Sequence, residues 1–273
     1  MRLPLNGLAY AGPQSDRAMA TYPPRSLRHE YDLYVENEIE SYKDSVPRST
    51  LLSIGDEAVA RLRQQEQLAL DEMVLWDEVD RIIKLRLRVP SYQSWRRRRL
   101  RMLEKYRRPE HWGIQPTDAL VRAIRPRAEA HVLVAGENVH DAVLYFAANG
   151  CEVTAVEREE EVIDRVMSAA AAVGLAQRVH GSACDLGRWA PQIPLSAVVC
   201  TPAAFRGLCA DERARVIALL QGATEAGGVH VVETAAVGQP TMTLEELTTR
   251  YVGWDISVEC NIATAGTFLA RRP

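Results

Sequence analysis

The sequence predicts an α/β fold: a doubly wound, mainly parallel seven-stranded sheet with an antiparallel C-terminal hairpin, preceded by an N-terminal helical region. Three observations carry this. From about Val132 onward, short apolar runs alternate with helical stretches, the pattern of consecutive strand–helix–strand units. The last two runs, 254–260 and 266–272, are separated by five residues, too few for a crossover, so they must pair antiparallel. The 273 residues are 47% hydrophobic and 25% charged. That is a globular composition, and it excludes disordered, collagenous and disulfide-scaffold classes.

The elements follow in order. Residues 1–26 carry Gly12, Pro13, Pro23 and Pro24 with little periodicity and read as a loose arm. Residues 27–126 read as a charged helical region. Within it, 56–87 has apolar residues mostly two to four apart, which predicts one amphipathic helix with Asp77, Glu78 and Asp80 on its outer face. Pro90 disfavours helix geometry at Val89 and ends it. A second helix, capped by Ser91 or Ser94, runs through WRRRRLRMLEKYRR and stops before Pro109. Residues 127–273 form the third part. HVLVAG (131–136) is its first strand, CEVTAV (151–156) its second, and the helix over 159–173 ends at Gly174. RVHGSA (178–183), SAVVCT (196–201), a helix over 211–224, GVHVVET (228–234) and a short helix over 243–251 precede the hairpin.

In an open sheet of this kind, ligands bind beyond the carboxyl ends of the strands, where the strand order reverses. Those ends are Ala135-Gly136-Glu137-Asn138, Glu157, Cys184-Asp185-Leu186 and Thr201-Pro202. Glu157 stands 21 residues after Gly136, the spacing at which a carboxylate accepts both hydroxyls of a ribose. Asp185 followed by Leu186 sets an acceptor beside an apolar surface the size of an adenine. Each acid also has an ordinary reading, as a solvated strand end or a turn cap. Two acids at matching strand ends are more specific than either alone.

These stretches, VLVAGENVHDAVLYFAANGCEVTAVE, ACDLGRWAP, SAVVCTPAAF, RARVIALLQGATEAGGVHVVET and GTFLARR, resemble the class I S-adenosylmethionine-dependent methyltransferases, in particular the tellurite-resistance-type branch. The resemblance covers about 115–273. It implies a seven-stranded sheet whose last strand is inserted antiparallel, and S-adenosylmethionine as cofactor. It implies that Glu157 holds the ribose hydroxyls, that Asp185 takes the adenine amino group with Leu186 against the ring, and that the backbone approaches the methionine portion at Gly136. Ala135, Glu137, Asn138 and Thr201 complete the expected cofactor set.

The glycine-rich loop departs from the family. The family usually has an acid at the position of Val134 and glycines at those of Asn138 and His140, and only Gly136 remains. Asn tolerates left-handed backbone better than most residues, so Asn138 can keep the turn while narrowing the cleft. A dinucleotide dehydrogenase is disfavoured, because its fingerprint would require Gly at Asn138 and Asp141. Methyl transfer to a good nucleophile rests mostly on proximity and alignment, so no catalytic residue is named. His140 alone near the expected methyl position has a pKa suited to general-base work. Two functions therefore remain: an S-adenosylmethionine-dependent methyltransferase of unknown acceptor, and a catalytically inactive subunit of methyltransferase fold acting as an interaction or scaffold protein.

The net charge of −3 conceals a strong asymmetry. Residues 30–80 hold 14 acidic and 4 basic side chains, and residues 84–108 hold 11 basic side chains against Glu104 alone. The basic stretch 84–108, with Tyr92, Trp95 and Tyr106 interleaved and Trp112 just beyond, has the ingredients for a nucleic-acid partner, namely phosphate contact and base stacking, as in a nucleic-acid-associated complex. Pairing with the acidic segment, or docking of a protein partner, accounts for the same charges. Five Cys at 151, 184, 200, 209 and 260 contain no C-x-x-C pair, and most flank apolar runs, as reduced buried thiols do. His180 and Cys184, four residues apart in a strand, are expected on the same buried face but lack further ligands, so no metal is expected. No apolar run approaches the roughly 18 residues of a membrane span, and MRLPLNGLAYAG does not read as a signal peptide. The expectation is a cytoplasmic protein without membrane contact.

Overall fold

The computed structural model describes residues 26–64, 72–234, 242–260 and 266–273. The loose arm expected over 1–26 lies outside them except for Ser26. The chain divides into two compact units, 1–99 and 100–273. Among the described residues, no helix is long and apolar enough to cross a membrane.

The first unit is built from α1 (Leu27–Ser45), α2 (Arg48–Gln64), α3 (Glu72–Arg86) and the start of α4 (Tyr92–Tyr106). Ser26 caps α1 by accepting from the His29 amide at 3.2 Å. The single helix expected over 56–87 is instead two. Arg61 of α2 meets Glu78 of α3, and Glu57 of α2 meets Arg86 of α3, so the two helices run antiparallel. Ile54 and Ala58 pack on Val79, Ile82 and Ile83 between them. The apolar spacing was right for helix, but it belongs to two facing stripes rather than one. Glu78, expected on the outer face, is buried, with Arg61 at 3.7 Å and Arg81 at 3.5 Å. Helix α4 starts where the serines placed it, with the Ser91 hydroxyl accepting from the Ser94 amide at 3.4 Å.

The second unit carries a seven-stranded sheet in the order β3-β2-β1-β4-β5-β7-β6. Its strands are β1 (His131–Ala135), β2 (Glu152–Glu157), β3 (Val179–Ala183), β4 (Leu195–Cys200), β5 (Thr224–Glu233), β6 (Asp255–Cys260) and β7 (Gly266–Arg271). The first five are mutually parallel, and β7 lies antiparallel between β5 and β6. This is the arrangement the family resemblance implied. The helices α5 (Ala119–Ala123), α6 (His140–Ala148), α7 (Glu160–Ala172), α8 (Ala210–Ala223) and α9 (Leu244–Arg250) complete the unit. Helix α7 closes at Gly174, where the amides of Gly174 and Leu175 return to the carbonyls of Ala171 and Ala170.

The central strands β1 and β4 are continuous apolar runs because both faces of the sheet are covered there. In β1, Val132 and Val134 join the core under α6 and α7, while Leu133 and Ala135 join the core under α8 and α9. One polar group is built into the second core. His230 of β5 is buried, with Nε2 2.7 Å from Thr224 Oγ1 and Nδ1 2.7 Å from the Tyr251 hydroxyl. The Thr224 hydroxyl donates to the Leu220 carbonyl. It must therefore accept from Nε2–H, which leaves Nδ1 to accept from Tyr251 and the imidazole neutral. Burial pushes the His230 pKa down to about 3.

Edge position overturns another expectation. Strand β3 borders the sheet, so His180 is half-exposed, 3.6 Å from Glu152, rather than on a buried face. Cys184 lies beyond the strand end and is half-buried; Cys209 is exposed, whereas Cys151 and Cys200 are buried.

Candidate functional site

The carboxyl ends of β1, β2 and β4 and the turn after β3 converge where the strand order reverses between β1 and β4. All eight residues expected to bind cofactor lie on these ends or in the turns that leave them. Ala135 closes β1. Gly136 follows at φ 105°, and Asn138 adopts the left-handed φ of 57° that its residue type tolerates. Glycine is needed at 136 for space as well. A Cβ there would stand 2.2 Å from Thr201 Oγ1 and 2.9 Å from the Ala204 amide nitrogen. The short 3₁₀ turn Pro202–Phe205 thus lies directly on the loop.

Glu157 ends β2 and is 9% exposed. Its Oε1 accepts from the Arg158 amide at 2.8 Å. Its Oε2 is buried and has no hydrogen-bond partner among the described residues, and neither has Thr201 Oγ1. A buried acceptor left unpaired costs roughly 1–3 kcal/mol, more when charged. Donors from a bound molecule would remove that cost, and vicinal hydroxyls are donors of the right kind. Asp185 sits after β3, partly exposed, and Leu186 beside it is buried in the core under α8.

Two arginines absent from the expected set enter the cleft. Arg158 pairs with Asp185 through Nε, and Arg206 pairs with Glu137 at 2.5 Å. The Arg158 guanidinium lies over Gly207, where a Cβ would stand 3.1 Å from Nη2, so that glycine admits the side chain. The sequence did carry a signal for each. Arg158 directly follows the strand-end acid, and Arg206 precedes a glycine in the turn after β4. His140 opens α6 with Nδ1 3.0 Å from its neighbour Asp141. The strand ends thus present an unpartnered acceptor at Glu157 Oε2, near Asp185 whose Oδ1 is held by Arg158.

The aromatic side chains of the basic stretch are engaged internally. Tyr92 and Trp95 pack against Tyr31 at centroid separations of 5.4 and 5.5 Å, and Arg28 lies over the Tyr92 ring. Tyr106 and Trp112 are buried and 5.4 Å apart, with the Trp112 indole donating to the Tyr106 carbonyl. Arg99 reaches Glu30 of the acidic segment at 3.1 Å.

No protein-family model matches this chain, and no curated protein matches it. Solved structures do. The N-methyltransferase NodS from Bradyrhizobium japonicum WM9 is 13% identical, with a TM-score of 0.44 over 54% of this chain and 87% of that one. TehB from Haemophilus influenzae is 19% identical, with a TM-score of 0.47 over 56% of this chain and 59% of its own. Magnesium protoporphyrin IX methyltransferase (ChlM) from Synechocystis PCC 6803, solved with bound SAM, is 14% identical, with a TM-score of 0.44 over 54% and 71% of the two chains.

Proposed function

We propose that the second unit binds S-adenosylmethionine in the strand-end cleft and transfers its methyl group to an acceptor. The observation that carries this reading is the buried, unpartnered Oε2 of Glu157 at the end of β2. A purely structural carboxylate has no reason to be desolvated there without a donor. The bound cofactor would supply an electrophilic methyl on a sulfonium. Glu157 would accept the ribose hydroxyls, Asp185 the adenine amino group, and the Gly136 turn would admit the amino-acid end. Glu137 and Asn138 would border that end, with Ala135 and Thr201 beneath it. The chain's contribution to rate would be alignment and exclusion of water, which methyl transfer to a good nucleophile requires above all.

The ribose contact has a direct test. Adenosine and 2′,3′-dideoxyadenosine are titrated against the wild-type chain and Glu157→Ala, with circular dichroism to verify the fold. The wild type should bind adenosine roughly 10- to 100-fold more tightly, as hydrogen bonds to a charged acceptor imply, and the variant should lose that preference. Equal discrimination by both proteins would remove Glu157 from the site. Two observations favour a second reading, a subunit of the same fold that no longer uses cofactor: Thr201 and Ala204 lie close against Gly136, and Arg158 holds Asp185. A wild-type chain that binds no nucleoside at millimolar concentration supports that reading instead.

A further inference from the structure

The opposite end of the sheet holds a second cleft, of about 480 Å³, at the amino ends of β1 and β4 and the start of β5. Its size lies within the range of small-molecule sites. Arg122, Arg125, Arg127 and Arg271 line it, and Glu225 is the single acid among the lining residues. In a chain of net charge −3, this is a local reversal of sign.

The positive charge there is incompletely answered. Arg122 pairs with Glu259 and Arg127 with Glu225, both pairs at the exposed rim. Exposed pairs of this kind contribute only about 0–1 kcal/mol and exchange partners readily. Arg271 donates to the carbonyls of Gly227 and Ala123, at 3.1 Å each, which fixes the guanidinium in place without neutralising it. Arg125 has no ion-pair or hydrogen-bond partner among the described residues. Four guanidinium groups against Glu225 and Glu259 leave two positive charges in one concavity. Guanidinium forks suit the paired oxygens of a phosphate, and a low-dielectric cleft of one sign focuses its field on such an anion. A phosphate monoester carries about −1.5 to −2 at pH 7, which matches the surplus.

We propose that this cleft binds a small phosphomonoester, separate from the nucleoside cleft at the carboxyl ends of the strands. Arg125 and Arg127 take the phosphate oxygens, and Arg271 is the fixed guanidinium beside them. Binding should weaken as pH falls below about 6, where the monoester loses its second charge.

The test titrates the full chain with inorganic phosphate, ribose 5-phosphate and neutral ribose, followed by phosphorus and ligand-observed NMR. Adenosine compounds are avoided so that the other cleft stays out of the readout. Saturable binding of ribose 5-phosphate is expected, weakened at least tenfold in the Arg125→Gln, Arg127→Gln double variant. Glu157→Ala should bind it normally, so failure of the methyltransferase reading leaves this result untouched. Both arginines project from the surface, and an unchanged melting temperature verifies the variant fold. Binding of phosphate alone, with no gain from the ribose, would reduce the site to free phosphate. No saturable binding, equal binding by the double variant, or equal affinity for chloride would overturn the proposal.

Discussion

Replacing Arg158 with Gln should strengthen nucleoside binding, although the substitution removes a charged side chain from the cleft. Arg158 holds Oδ1 of Asp185, the acceptor proposed for the adenine amino group, and so competes with that contact. The two side chains are 43% and 31% exposed, so solvent screens their attraction and its worth is about 0.2–1 kcal/mol. Releasing Asp185 from that competitor raises affinity roughly 1.5- to 5-fold, since 1.4 kcal/mol is a factor of ten. Salt provides an independent handle. Adenosine is neutral, so added salt acts chiefly by weakening the Arg158–Asp185 pair. Wild-type affinity should rise between about 0.05 and 0.5 M salt, while the variant's stays flat. Calorimetric titration of adenosine at both ionic strengths reads both effects. Unchanged or weaker binding by Arg158→Gln, with no salt dependence in the wild type, would refute the competition.

Three further outcomes follow from the geometry. Gly136→Ala forces a Cβ at φ 105° into Thr201 and the Ala204 backbone; it should cost about 2–4 kcal/mol in urea unfolding, and an unchanged midpoint would contradict the packing. His230 is held neutral by burial, with its pKa at about 3 against an ordinary 6.5. The unfolded chain therefore binds the extra proton first, so this contribution to stability is full above about pH 6.5 and is lost as pH falls toward 3; a His230→Gln variant should show a shallower acid limb, and an identical limb would contradict it. Arg99→Gln should destabilise the first unit by about 1 kcal/mol or less at low salt, and the loss should shrink in high salt, because its ion pair with Glu30 is a partly exposed contact. A salt-independent loss would mean that packing, not charge, holds the side chain.

The sheet was legible because its central strands, β1 and β4 above all, are short apolar runs covered on both faces, and because five residues between the last two strands leave room only for a hairpin. The turn at Asn138 was legible from residue type, since Asn accepts the positive φ found there. The helical hairpin was not. Periodicity reports which residues face a core, and Leu62 with Val79, Ile82 and Ile83, all buried, satisfies the same spacing whether the chain continues or reverses. Glu78 was misplaced for the same reason: its facing stripe contains Arg61, which answers the buried charge from another helix. In the cleft, strand-end positions could be read from spacing, and the sequence places Arg158 and Arg206 in the neighbouring turns, but which acid each one meets could not be read. Arg158 meets Asp185 across 27 residues and Arg206 meets Glu137 across 69. Such encounters depend on strand order, which a single sequence leaves implicit. The aromatics of the basic stretch show the converse limit, because composition alone does not distinguish a stacking platform from rings packed on one another.

The claim that the cleft beyond β1 and β2 is a cofactor site is tested most directly by calorimetric titration of the intact chain with S-adenosylmethionine and its demethylated product. Saturable binding of both at one site per chain is expected, weakened by roughly 2–3 kcal/mol in Glu157→Ala. Absence of measurable heat with either compound at millimolar concentration, or equal binding by the variant, would contradict it.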